Sequence, residues 1–95
     1  MIRPARWRVE FLPAAMKELL AIRKPHQDRI RAAIRTLSDG PTPPDSIPMR
    51  GKAIGLHRLR VGNYRVVYRI REESVCVLVI RIGRRAEVYR GWEET

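Results

Sequence analysis

Residues 6–11, RWRVEF, alternate: Trp7, Val9 and Phe11 fall on one side and Arg6, Arg8 and Glu10 on the other. A period of two is that of a half-buried strand. At Pro13, a residue suited to the first turn of a helix, the period lengthens. Ala15, Leu19 and Ile22 form one stripe, with Met16 and Leu20 beside it, the spacing of an amphipathic helix. Lys24-Pro25 interrupts that helix, because the residue before a proline is pushed out of the helical region. Pro25 can open a second helix, whose stripe is Ile30, Ala33, Ile34 and Leu37 and which Ser38-Asp39-Gly40 ends. Two helices joined by about two residues predict an antiparallel helical hairpin.

Residues 40–48, GPTPPDSIP, carry four prolines in nine positions and read as a stiff extended loop. From Leu56 the period returns to two. LHRLRV, Gly62-Asn63 and YRVVYRIR predict a β-hairpin with a two-residue turn. VCVLVIRI, residues 75–82, is apolar at nearly every position, as expected of a strand central in a sheet or covered on both faces. The order β-α-α-β-β-β predicts an α+β fold in which a helical hairpin packs on one face of a small, mainly antiparallel sheet. Its length makes residues 1–95 a single domain.

A two-residue loop sets the register. Val61 then faces Tyr64, Leu59 faces Val66 and His57 faces Tyr68 on the apolar side. The other side pairs Arg60 with Arg65, Arg58 with Val67 and Leu56 with Arg69. If the next turn is Glu72-Glu73-Ser74, Arg65 also faces Arg81, and Cys76, Leu78, Ile80 and Ile82 fall on the core face. The expected result is a row Arg60–Arg65–Arg81 across three strands, flanked by Arg58 and Arg69. Two readings of the row are open. One is a solvated polar face. The other is a phosphate-binding face, which accounts for like charges placed opposite one another at a cost to the sheet.

Charge strengthens the second reading. Twenty Lys and Arg against ten Asp and Glu give a formal net charge of +10, and seventeen of the twenty are Arg, the better bidentate phosphate ligand. The two halves carry the same excess, so it is not a basic tail. From Arg50 to Arg71 there are seven basic residues, Lys52 among them, and no acidic one. An anionic partner is expected. Other classes fall away. No apolar run is long enough to span a bilayer, and MIRPARWRVE lacks the apolar region of a signal peptide, so a cytoplasmic location is expected. One cysteine, Cys76, rules out an internal disulfide. His26 and His57 are too few and too scattered for a metal cluster, and no cofactor is expected. His57, Cys76 and Trp7 read as packing residues. Trp92 reads as either a cover residue or a partner contact.

Leu56–Tyr68 follows the pattern L-x-R-L-R-x-G-x-Y-R-V-x-Y, and Gly83–Tyr89 follows G-x-R-x-x-V-Y. With the strand, helical hairpin and Pro-rich loop before them, these motifs resemble the RelE/ParE toxin superfamily over nearly the whole chain. The RelE-like branch, which the combined arginine–tyrosine set favours, implies the toxin of a type II toxin–antitoxin system, a ribosome-dependent endoribonuclease. Such enzymes cut mRNA in the ribosomal A site, the 2′-OH attacking the adjacent phosphate. By this resemblance the catalytic set falls on Arg58, Arg60, Arg65, Arg85 and Tyr89. RNA contacts fall on Arg58, Arg60, Arg69, Arg81, Arg84 and Lys52. The resemblance implies a Lys base in relatives where this chain has Arg60. Guanidinium is a poor base, so Tyr89, whose phenolate surrounding cations favour, is the candidate base. Stacking on a nucleobase is another role for Tyr89, and positioning by the ribosome with little protein acid–base chemistry is a third possibility for the reaction. The implied partners are an acidic, partly disordered antitoxin, the ribosome and mRNA. Two other functions fit the same residues: a ParE-type inhibitor of DNA gyrase without nuclease chemistry, and a non-toxic basic RNA-binding module.

Overall fold

The structure is a computed structural model and describes residues 6–51 and 54–84. Seven elements follow one another: β1 (Arg8–Phe11), α1 (Pro13–Leu20), α2 (Lys24–Thr36), β2 (Ser46–Pro48), β3 (His57–Val61), β4 (Tyr64–Arg71) and β5 (Cys76–Arg84). They form a five-stranded sheet in the order β1-β5-β4-β3-β2, with the helical hairpin on one face. The α+β architecture is the one read from the sequence.

Each helix carries a proline in its first turn, Pro13 in α1 and Pro25 in α2, where a missing N–H removes nothing from the hydrogen-bond ladder. The stripes Ala15, Leu19 and Ile30, Ile34, Leu37 are buried against Leu59, Val61, Val66 and Tyr68 of the sheet. Trp7, Val9 and Phe11 of the first strand region pack along the border of this core. β5 is flanked by β1, parallel, and β4, antiparallel. Its continuous apolar run follows from that central place.

The first hairpin has the expected register throughout: Val61 opposite Tyr64, Leu59 opposite Val66, His57 opposite Tyr68, Arg60 opposite Arg65 and Arg58 opposite Val67. Gly62 has φ +59° while Asn63 keeps a negative φ, the pattern of a type II′ turn with glycine first. A side chain at Gly62 would enter the left-handed region at a cost.

The second hairpin departs from expectation. Its turn takes in Val75 as well as residues 72–74, with φ +49° at Val75 and its N–H donating to the Glu72 carbonyl at 3.2 Å. Arg71 therefore faces Cys76, and a bulge at Ile80, between the pairs Tyr68–Val79 and Val67–Arg81, shifts the ladder again. The core face of β5 is Val77, Val79 and Ile82 rather than Cys76, Leu78, Ile80 and Ile82. Cys76 is buried, 2% exposed, but it starts the strand on the opposite side from Val77. The physical cause is the parallel partner. β1 pairs Arg8 to Phe11 with Cys76 to Val79, and the Arg8 N–H binds the Val75 carbonyl at 2.9 Å. A run apolar on both parities does not resist that choice.

The Pro-rich segment also ends differently. Ser46–Pro48 pairs with Leu59–His57 as a short edge strand, where a proline is tolerated because no neighbour needs its N–H. The sheet face away from the helices is not bare: Leu56 and Val67 are buried there, with Met49 and Ile80 packed against them.

Candidate phosphate-binding face

The face opposite the helices collects arginines because β3 and β4 alternate with opposite parities across a two-residue turn. Arg58 and Arg60 project from β3, and Arg65 and Arg69 from β4, with Arg60 directly opposite Arg65. Leu56, Val67, Met49 and Ile80 supply an apolar floor. Arg60 and Arg69 are exposed and Arg58 is half-buried. Asp45 approaches β3 through its backbone carbonyl, which accepts the Arg60 N–H at 3.1 Å. Arg69 lies over the turn at Gly55 (φ +93°), where a Cβ would stand 3.6 Å from its Nη1.

Arg65 differs from its neighbours. It is 8% exposed. Its Nη1 donates to the carbonyls of Gly62 at 3.1 Å and Tyr64 at 3.0 Å. Its Nε is buried with no hydrogen-bond partner among the described residues. Ion pairs among the described residues join Arg6 to Asp39, Arg8 to Glu10, Lys24 to Asp28 and Arg81 to Glu18. None reaches Arg60, Arg65 or Arg69. Burying a cation without a counter-anion is unfavourable, yet the turn carbonyls hold this one in a single orientation. Such a group is preorganised for a negative charge that arrives with a ligand.

Arg81 does not extend the row. The longer turn and the bulge place it opposite Val67, and Gly83, not Arg81, stands opposite Arg65. Its Nε instead lies 3.6 Å from Oε2 of Glu18, at the open edge of β5. Arg84, opposite Tyr64, is likewise away from the row, on the helix side. Lys52, Arg85, Tyr89 and Trp92 lie outside the described residues. His57 packs as expected, its ring stacked on Tyr68 at 5.7 Å and 25°. Burial pushes its imidazole pKa down. The Tyr68 hydroxyl donates to the Pro41 carbonyl at 2.6 Å. Burial pushes its pKa up, partly offset by a hydrogen bond with Ser46. No group of three or more His, Cys, Asp or Glu among the described residues is placed to hold a metal, and no described helix is long and apolar enough to cross a membrane. The face can bind and polarise an anion. Proton transfer would need a group outside the four arginines.

The sequence reading missed His26, Tyr64 and Arg23 as candidate ligand contacts. They come together only where the helical hairpin tip meets the ends of β4 and β5, and no local motif signals that meeting.

Comparison with known proteins agrees with this architecture. Toxin RelG of Mycobacterium tuberculosis is 40% identical over 43 residues, 45% of this chain and 49% of that protein, so the match spans about half the length of that curated relative. The toxin–antitoxin complex RelBE2 of Mycobacterium tuberculosis contains a chain that superposes with a TM-score of 0.76 at 26% identity, covering 84% of this chain and 99% of that one. The archaeal RelE–RelB complex of Pyrococcus horikoshii gives a TM-score of 0.73 at 27% identity, covering 84% and 96%. Residues 9–89 match the model of the ParE toxin of type II toxin–antitoxin systems. A match over that span shows that the chain belongs to this toxin family, within the RelE/ParE superfamily.

Proposed function

We propose that the chain is the toxin of a type II toxin–antitoxin pair and acts as a ribosome-dependent endoribonuclease on mRNA in the A site. The observation that carries this reading is Arg65: a buried arginine, paired with no carboxylate among the described residues, held by turn carbonyls beside Arg60. Attack of the 2′-OH on the adjacent phosphorus passes through a phosphorane with added negative charge and breaks the P–O5′ bond, giving a cyclic phosphate and a 5′-oxygen that leaves as a free 5′-OH on taking a proton from water. Fixed donors aimed at such charge are each worth about 2.7–4 kcal/mol. In this proposal Arg58, Arg60 and Arg65 bind and stabilise the phosphate, and Arg69 and Lys52 hold the flanking backbone. Arg85 adds a further cation, and Tyr89 accepts the proton from the attacking hydroxyl. The roles of Lys52, Arg85 and Tyr89 rest on the family resemblance. The action would take place in the cytoplasm.

The solved relatives that carry RelB antitoxins support a protein partner for this chain. An acidic, partly disordered antitoxin suits a net charge of +10. The test is to add purified chain to a translating extract and map message ends by primer extension. Breaks within codons that depend on ribosomes and vanish in Arg65→Ala are expected. Intact message at concentrations that arrest translation refutes the proposal.

A second reading has one specific observation in its favour, the match to the ParE toxin model. On that reading the chain inhibits DNA gyrase by binding. Inhibited supercoiling together with uncut message would establish it.

A further inference from the structure

β1 pairs with β5 only as far as Val79, so among the described residues no strand covers residues 80–84, and one edge of the sheet lies open beside the tip of the helical hairpin. Glu18 of α1 covers part of it. Its Oε1 accepts the N–H of Ile82 at 2.8 Å, and its Oε2 lies near Arg81. The rest of this edge is a cleft of about 470 Å³, lined among others by Arg23, His26, Tyr64, Arg81 and Arg84. That volume falls within the roughly 300–1,000 Å³ of small-ligand sites.

The lining is specific in kind. Among the described residues three guanidinium groups face one carboxylate, and that carboxylate is already engaged by Arg81 and the Ile82 N–H. Two rings stand together, His26 and Tyr64, with centroids 5.6 Å apart and planes at 41°. The same pair borders an adjoining cavity of about 120 Å³ with Arg29 and Asn63. Arg23, His26 and Arg84 are exposed and contribute little to the core. An aromatic pair framed by arginines on two sides suits a base with its flanking phosphates. Because Arg84 shares the helix side of the sheet with Tyr64, opposite Arg65 and Arg60, this cleft is separate from the phosphate-binding face.

We infer that the cleft holds one nucleotide of a single-stranded RNA, its base against Tyr64 and His26 and its flanking phosphates on Arg23 and Arg84. The inference rests on the reading that the chain acts on RNA, and it gives the chain a second grip on the strand, around the sheet edge from the point of cleavage.

The test titrates the full chain with a fluorescein-labelled single-stranded hexaribonucleotide and follows anisotropy over a range of salt. Arg23→Ala/Arg84→Ala is expected to weaken binding about tenfold or more and to lower the salt slope by about 1.4, two phosphate contacts at about 0.7 each. His26→Ala is expected to weaken binding about fivefold or more. Arg8→Ala/Arg35→Ala, two exposed positions outside the cleft lining, controls for net charge. A 4-thiouridine probe should crosslink to the peptide containing Tyr64 or to the one containing His26, and on programmed ribosomes the crosslinked strand shows whether message or ribosomal RNA occupies the cleft. Wild-type affinity and slope in the Arg23/Arg84 variant, equal weakening in the control, or no binding by the wild type overturns the inference. Message cleavage is scored in parallel: uncut message removes the nuclease reading, while weakened binding in an Arg23/Arg84 variant that folds as wild type still supports the cleft.

Discussion

Replacing Arg65 with methionine separates what the fold needs from what the proposed chemistry needs. Arg65 is 8% exposed, and its guanidinium makes two charged hydrogen bonds, to the Gly62 and Tyr64 carbonyls at 3.1 and 3.0 Å. Bonds of this kind contribute about 1.5–3 kcal/mol each, so their loss removes about 3–6 kcal/mol. Against this stands the desolvation of a cation with no carboxylate and with Nε unsatisfied among the described residues, an effective penalty of several kcal/mol. Methionine fills similar space, carries no charge and adapts to irregular gaps. The two contributions nearly cancel, and Arg65→Met should unfold in urea within about 1 kcal/mol of wild type. Cleavage should fall about 10²–10³-fold, the effect of losing one preorganised donor. Urea denaturation followed by circular dichroism and primer extension on translated message measure the two effects on the same preparation. Cleavage within tenfold of wild type, or a stability loss above about 3 kcal/mol, refutes the reasoning. The first outcome would mean that the charge does not act on substrate, and the second that it is a structural staple of the turn.

Arg60→Glu turns a like-charged cross-strand pair into an opposite one. Stability should rise by about 0.2–1 kcal/mol while cleavage is lost, and loss of both would count against the pair being a strained functional site. Tyr68→Phe leaves the Pro41 carbonyl unpaired and should lower stability by about 1–2 kcal/mol in urea. Burial raises the Tyr68 pKa above its ordinary value of 10.0. The stabilisation this brings is present below that value and lost as pH rises through the folded-state pKa, so the same variant should flatten the alkaline decline in stability. The His57 pKa lies below its ordinary 6.5 because of burial. The unfolded chain therefore takes up its proton first as pH falls, and stability present above 6.5 declines below it. His57→Phe should reduce that decline, read from urea midpoints on either side of neutrality. Leu19→Ala, at a site with no exposure, should cost about 2–5 kcal/mol by emptying the interface between α1 and the sheet.

The first hairpin was readable because one glycine determined its turn. Gly62 at φ +59° allows a two-residue connection, and a two-residue connection leaves no choice of register. Every pair from His57–Tyr68 to Val61–Tyr64 follows, and with them the opposition of Arg60 and Arg65. The second hairpin was not readable, for the opposite reason. VCVLVIRI is apolar on both parities, so hydrophobic pattern does not choose between turns of three and four residues. Contact with β1, more than sixty residues earlier in the chain, decides it. That choice moved Arg81 out of the arginine row and onto Glu18.

The local sequence, then, determined the helical hairpin, the first strand pair and the opposition of Arg60 and Arg65. Each depends on periodicity, proline and glycine acting over a few residues. Tertiary structure alone decided the parallel docking of β1, the bulge at Ile80, the burial of Arg65 and the cleft at the open edge of β5. These depend on which distant segments meet. A charge in water and a charge sealed beside two carbonyls are the same letter in a sequence, and only packing sets the dielectric and the partners that distinguish them.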